Sequence, residues 1–90
     1  MMPRQRFELM APGAQRAFIA GDFNDWDPSS VRMRKMPRQD GLFVRILHLS
    51  AGRHEFKFVV DGDWRCCPHT PRCISPMGTI NSVVEVGADQ

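Results

Sequence analysis

The sequence predicts an all-β fold, an immunoglobulin-like antiparallel β-sandwich of about seven short strands. Three observations favour this class. Apolar and polar residues alternate with period two in several short segments, turn residues separate these segments about every eight to twelve positions, and no long window carries a helical pattern. The chain has 90 residues, of which 42% are hydrophobic and 24% charged. This is enough for one small core, so we expect a single domain over residues 1–90.

Six segments carry the strand pattern, and turn residues end each of them. A Pro-Gly pair and a Gly-Asp pair close the first two, and residues 37–41 are typical of a hairpin loop between the third and fourth. The fourth segment is rich in branched residues, which favour strands. After the fifth, Asp61 and Gly62 suit the positive φ angles of a type I′ turn. The predicted strands are residues 6–9, 15–20, 31–36, 42–49, 54–60 and 80–86.

The alternation in the fifth segment also predicts which side chains face the core. Phe56, Phe58 and Val60 share one face, which we expect to be buried. Lys57 and Glu55 share the opposite face and should point outward.

The two tryptophans lie outside the strongest predicted strands. Trp26 belongs to a polar loop over residues 21–28, and Trp64 follows the predicted hairpin turn. One interpretation is that they cover the ends of the sandwich core. The other is that they display flat apolar faces, which match the C–H face of a sugar ring or a nucleobase. Their positions alone leave both interpretations open.

Three stretches, residues 18–26, 52–64 and 78–86, resemble in their order and spacing the family 48 carbohydrate-binding module. This family includes the glycogen-binding domain of the AMP-activated protein kinase β subunit and the N-terminal modules of isoamylases and branching enzymes. The resemblance covers about residues 15–87 and keeps the spacing of seven between Lys57 and Trp64. It implies non-catalytic binding of an α-glucan, such as glycogen, starch or a maltodextrin, without a cofactor.

The resemblance also implies roles for individual residues. Two tryptophans would stack on glucose rings, a lysine and an asparagine would hydrogen-bond sugar hydroxyls, and a threonine and a methionine would shape the floor. The methionine stands where the kinase-subunit modules have a leucine, and its flexible thioether suits that apolar role. The implied carbohydrate-binding residues are Trp26, Lys57, Trp64, Met77, Thr79 and Asn81. The sequence departs from the family at Cys67-Pro68, where Asp-Pro is common, and between Trp26 and Gly41, a stretch that is a few residues longer.

The segment 66–76 contains three prolines and three cysteines, and we expect it to be an irregular surface loop. Cys66, Cys67, His69 and Cys73 are candidate zinc ligands, but an adjacent cysteine pair is poor spacing for zinc. We therefore predict reduced thiols in a cytoplasmic protein and no metal. A disulfide between Cys73 and either of the other cysteines stays open.

Two further sets of charged residues have structural rather than functional interpretations. Five aspartates could form a catalytic carboxylate pair, but all lie in turn segments, where Asp is favoured for its backbone hydrogen bonds. A basic run is typical of the solvated face of a strand and its loop. We predict no enzymatic activity. The aspartates are Asp22, Asp25, Asp27, Asp61 and Asp63, and the basic run is Arg32, Arg34, Lys35 and Arg38.

The expected partners are an α-glucan oligosaccharide or polysaccharide and a glycogen-metabolising enzyme or another protein. The net charge of +2 is too small to indicate a nucleic acid, and acidic residues beside both tryptophans would repel phosphates. No apolar stretch approaches the roughly 20 residues that span a membrane, and residues 1–8 lack the apolar core of a secretory signal. Two alternatives stay open: a protein-interaction module of the same fold that has lost sugar binding, and a nucleic-acid binder with strongly salt-dependent affinity.

Overall fold

The computed structural model describes residues 2–87, which form two antiparallel β-sheets packed face to face. This confirms the predicted all-β sandwich, and the described residues contain no helix. The eight strands in this range are β1 (Arg4–Met10), β2 (Ala17–Gly21), β3 (Arg34–Lys35), β4 (Leu42–His48), β5 (Gly52–Val60), β6 (Asp63–Arg65), β7 (Arg72–Ile74) and β8 (Ile80–Val86).

Strand β5 organises the larger sheet. The smaller sheet has the order β1-β4-β3, and the larger has the order β2-β5-β8-β7, with β6 also paired to β5. On one side, β5 pairs with β2 over residues 56–60. It also pairs with β8 over residues 52–56 and with β6 over residues 58–60. Strand β5 is therefore paired with three other strands, and residues of these strands can lie beside its outward side chains.

The inner face of β5 forms the centre of the core, as the alternation predicts. Phe56, Phe58 and Val60 are buried. The ring of Phe56 lies edge-on to Phe7 of β1 at a centroid distance of 5.0 Å and edge-on to Phe58 at 5.5 Å. Such tilted pairs add to the stabilisation from burial. Lys57 lies on the opposite face and is partly exposed.

The expectation of an irregular surface loop over residues 66–76 is wrong in two places. Arg72–Ile74 form β7, an edge strand paired to β8 with Cys73 opposite Asn81. The thiol residue Cys67 is buried in the core, and its backbone N–H donates to the Ser82 hydroxyl at 2.6 Å. Strand β8 provides the partner in both cases. Its outer edge offers backbone groups that pair with β7, and the hydroxyl of its buried residue Ser82 accepts the hydrogen bond from Cys67.

The third predicted strand, residues 31–36, is shorter than expected. Only Arg34–Lys35 pair with β4. The preceding residues run along the free edge of β2 instead, where the Met33 N–H donates to the Ala17 carbonyl at 2.8 Å. The segment thus passes from one sheet to the other. Met33 is buried at this crossing.

The predicted turn between β5 and β6 is confirmed. Asp61 and Gly62 have φ angles of 47° and 90°, as a type I′ turn requires. The Asp61 carboxylate also accepts hydrogen bonds from the backbone N–H groups of Arg16 and Gln15 at 3.0–3.1 Å. These two backbone donors, Arg16 first, hold the pKa of Asp61 below its ordinary value.

We expect Asp61→Asn to lower the midpoint of thermal unfolding at pH 7, because a neutral amide is a weaker acceptor for the two N–H groups. A lowered pKa in the folded state means that the carboxylate stabilises the fold above its unfolded-state pKa. That contribution is lost as the pH falls through the folded-state value. Melting curves from about pH 7 to about pH 2 should therefore converge for the two proteins at the acid end. Asp63→Asn in the same hairpin is the control, and an equal, pH-independent effect of both variants would contradict the prediction.

Candidate functional site

Trp26 is presented by a turn that the side chain of Asn24 holds together. Asn24 Oδ1 accepts from the Gly21 N–H at 2.9 Å, and its Nδ2 donates to the Ile19 carbonyl at 3.1 Å. Asp25 and Trp26 have φ angles of 56° and 57°. This left-handed conformation costs a non-glycine residue about 1–2 kcal/mol. The hydrogen bonds of Asn24 offset this cost and preset the position of the indole.

The same turn is docked against β5. A Cβ atom on Gly21 would lie 2.7 Å from the Glu55 carbonyl oxygen and 2.6 Å from the ring of Phe23, so only glycine fits there. Asp22 contributes from the next position, since its Oδ2 accepts from the Glu55 N–H at 3.0 Å and its Oδ1 lies 3.1 Å from His54 Nδ1. The turn and the strand are therefore one connected unit.

We expect Asn24→Asp to disturb this turn. Aspartate keeps an acceptor for the Gly21 N–H but places a carboxylate oxygen against the Ile19 carbonyl. With about 1 kcal/mol for each lost hydrogen bond, the free energy of unfolding should fall by about 1–3 kcal/mol. Denaturant unfolding measures this loss. Ser29→Ala, in the same loop but without a bond to Asn24, is the control, and a loss no larger than that of the control would contradict the role of the amide.

The outer face of the larger sheet carries the polar part of the site. Lys57 lies on this face of β5, and Asn81 lies on β8. Each lies one position beyond the Phe56–Ser82 pair that ends the register between the two strands. Asn81 is buried, and its Nδ2 donates to Glu55 Oε1 at 3.0 Å. Arg53 forms an ion pair with the other oxygen of Glu55 at 2.9 Å. The hydrogen bond from Asn81 is the largest cause of a lowered pKa of Glu55, and the hydrogen bond from Arg53 is the second. The Glu55 carboxylate therefore stays ionised and accepts the hydrogen bond that orients the Asn81 amide.

The turn between β7 and β8 forms one wall. Ser75 closes it, with its Oγ 2.7 Å from Thr79 Oγ1 and its N–H donating to the Thr79 carbonyl at 2.8 Å. Gly78, with a φ of 89°, permits the tight reversal. Met77 at the tip is 90% exposed. An apolar side chain so fully exposed on a well-bonded turn is available for contact with a ligand.

These elements meet in one groove of about 630 Å³, which we call the tryptophan groove. All six residues that the resemblance singled out line it. Trp64 lies on β6, where it pairs with Val59 of β5, and its side chain is 47% exposed. Three further lining residues escaped the sequence analysis. Of these, Glu55 could have been found, because it shares the outward face with Lys57, whereas nothing in the pattern marks the other two. The lining residues are Trp26, Glu55, Lys57, Trp64, Ser75, Pro76, Met77, Thr79 and Asn81.

The other candidate residues lie elsewhere or have structural partners. The three cysteines are free thiols. Among residues 2–87, no three His, Cys, Asp or Glu side chains are grouped so that they could hold a metal ion. Asp27, like Asp22 and Asp61, accepts a backbone hydrogen bond, in this case from Ser29 at 2.9 Å. The part of the chain that the structure describes has no helix long and apolar enough to cross a membrane.

The basic residues line a different groove, at the side of the sandwich between β4 and the segment before β3. Arg32, Arg34 and Lys35 of the basic run meet Arg16 and Arg45 there. Arg45 Nη1 donates to the Arg32 carbonyl at 3.0 Å. Neither tryptophan lines this groove, so the structure separates the basic run from the tryptophan groove.

The protein is a β-sandwich whose groove combines aromatic and polar side chains. Comparison with known proteins identifies relatives of this chain. Residues 6–90 match the protein family described as the glycogen recognition site of AMP-activated protein kinase. The 5'-AMP-activated protein kinase subunit beta-1 of Homo sapiens is 37% identical over 76 residues, which cover 82% of this chain and 26% of the relative. The beta-2 subunit of Mus musculus is 40% identical over 76 residues, with the same coverage of 82% and 26%. The beta-1 sequence of Sus scrofa is 37% identical over 76 residues, 82% of this chain and 57% of the relative.

The class of protein is therefore a carbohydrate-binding module, a domain type without catalytic activity. The chain belongs to the glycogen-recognition family of the AMP-activated protein kinase. It spans about a quarter of the length of two of the relatives named above and 57% of the third.

Proposed function

We propose that this chain binds α-glucans, including glycogen, starch and maltodextrins, in the tryptophan groove, and that it catalyses no reaction on them. One observation carries the proposal. Six residues from three separate stretches of the sequence line one groove and combine two aromatic faces with an amine, an amide and a hydroxyl. This combination suits a neutral ligand with apolar C–H faces and hydroxyl edges.

In this proposal, the two tryptophans contribute most of the binding free energy. Trp26 and Trp64 stand on different elements, a turn after β2 and strand β6, and both line the groove. A helical α-glucan can place successive glucose rings against two separate aromatic faces. If each stack contributes about 1–3 kcal/mol, by analogy with the stacking of bases on aromatic side chains, both together account for about 2–6 kcal/mol.

The polar side chains fix the orientation of the sugar. Lys57 offers three N–H donors on the outward face. Asn81 uses Nδ2 for Glu55, and this bond directs its Oδ1 as an acceptor for a sugar hydroxyl. Met77 and Thr79 form the floor, where the thioether adapts to the curved chain.

The expected affinity is weak for a single groove. A total of about 4–8 kcal/mol corresponds to a Kd of roughly mM to µM. A module of this kind is effective when it holds a larger assembly on a polymer with many binding sites. The named relatives are kinase subunits, and we propose that this module likewise brings a protein partner, such as a glycogen-metabolising enzyme, to the glucan.

Tryptophan fluorescence tests the proposal, because both tryptophans of the chain line the groove. Titration with maltoheptaose and with β-cyclodextrin should give saturable changes, whereas cellohexaose, a β-linked control, should give none. The affinity should be nearly independent of salt, since the ligand is neutral. A folded sample that responds to neither α-glucan would refute the proposal and favour a protein-interaction module of the same fold.

A further inference from the structure

A second groove, of about 680 Å³, lies on the same sheet face, on the far side of Trp64. We call it the distal groove. Its floor is an apolar row that crosses three strands, since Phe18 of β2 lies opposite Val59 of β5, which lies opposite Trp64 of β6. Val59 is 5% exposed although it faces outward, because large aromatic side chains flank it on both sides.

Trp64 lines both grooves, so its indole is the wall that they share. A side chain that is 47% exposed on a strand edge has surface for contacts on more than one side. A glucan chain bound in the tryptophan groove can therefore continue past Trp64 directly into the distal groove.

The rim of the distal groove is polar and held in place. Gln15 and Arg16 line it, and both are exposed. Their backbone N–H groups donate to the Asp61 carboxylate at 3.0–3.1 Å, which fixes this segment against the β5-β6 hairpin. The amide and guanidinium side chains add donors and an acceptor beside the apolar row.

We infer that the distal groove is a further subsite for the same α-glucan chain, occupied by the glucose units that extend beyond Trp64. The inference rests on the proposed function. An apolar floor beside amide and guanidinium groups repeats the chemistry of the tryptophan groove, and its shared wall makes one continuous polymer the occupant that fits both. Chains too short to pass Trp64 gain nothing from the subsite, whereas longer chains bind more tightly.

The test compares maltotetraose with maltodecaose by isothermal titration calorimetry. In the unmodified protein, maltodecaose should bind more tightly by at least about fivefold, the equivalent of one additional hydrogen bond. The double variant Gln15→Ala/Arg16→Ala should bind maltotetraose with unchanged affinity and lose most of the gain with length. Arg34→Ala removes the same charge from an exposed residue outside both grooves and should keep the whole gain.

The outcomes separate the inference from the proposed function. A gain with chain length that survives in the double variant, or the absence of any such gain in the unmodified protein, overturns the distal subsite while short-chain binding still stands. A protein that binds neither oligosaccharide overturns the proposed function itself. Phe18→Ala provides a second variant. It should also reduce the gain with length, and a thermal melt verifies that it is folded.

Discussion

Trp64→Ala is expected to weaken the binding of maltoheptaose at least about tenfold. The substitution removes an indole that is 47% exposed and lines the tryptophan groove. The loss corresponds to about 1.4 kcal/mol, within the range for one stacked ring. Stability should change little, because Trp64 lies on the outer face of the sheet, away from the core. Trp26 remains as a fluorescent reporter, so the same titration measures the loss.

Two further variants complete this experiment. Trp26→Ala removes the other aromatic face and should also cost at least about tenfold in affinity. Ile46→Ala removes an exposed apolar side chain from the opposite sheet and should leave the affinity unchanged. Unchanged affinity in both tryptophan variants would show that the indoles do not stack on the sugar.

Phe56→Ala is expected to lower the free energy of unfolding by about 3–5 kcal/mol. Phe56 is 1% exposed and touches the rings of Phe7 and Phe58, so alanine leaves a cavity that β-strands cannot easily close. A small domain has a total stability of roughly 5–15 kcal/mol. The variant would therefore lose a large part of its stability and could be partly unfolded at physiological temperature.

Urea unfolding at low temperature measures this effect, with Phe56→Leu as the comparison. Leucine keeps most of the buried volume and should cost less than half as much. If Phe56→Ala is folded, it should still bind maltoheptaose, because Phe56 faces away from the groove. A loss below about 1 kcal/mol would contradict the central position assigned to this ring.

The sequence analysis predicts correctly those structural features that depend on residues close together in the sequence. The alternation in β5 predicts both the buried phenylalanines and the outward Lys57, because side chains of a strand alternate between its faces. The Asp61-Gly62 turn is equally local, since its φ angles depend on two residues. The six residues taken from the family resemblance lie around one groove, and their contacts with sugar stay a prediction.

The features that escaped the analysis depend on distant partners. Strand β7 exists because β8 has a free edge, which no pattern within residues 72–74 reveals. The bond between Asn81 and Glu55 joins residues 26 positions apart. The positive φ of Trp26, a residue type that rarely adopts it, follows from the bonds of Asn24 and from the packing of Gly21 against β5.

The two-faced strand β5 also constrains how the length of this chain can vary in evolution. An insertion of one residue within β5 would exchange the faces of the residues beyond it, burying Lys57 and exposing the phenylalanines. An insertion of two before Lys57 would restore the faces but shift Lys57 by about 7 Å relative to Asn81 on β8. Length changes are therefore expected only outside the strands, as in the loop of residues 27–31 after Trp26, where they affect neither the register of β5 nor the spacing of the residues that line the tryptophan groove.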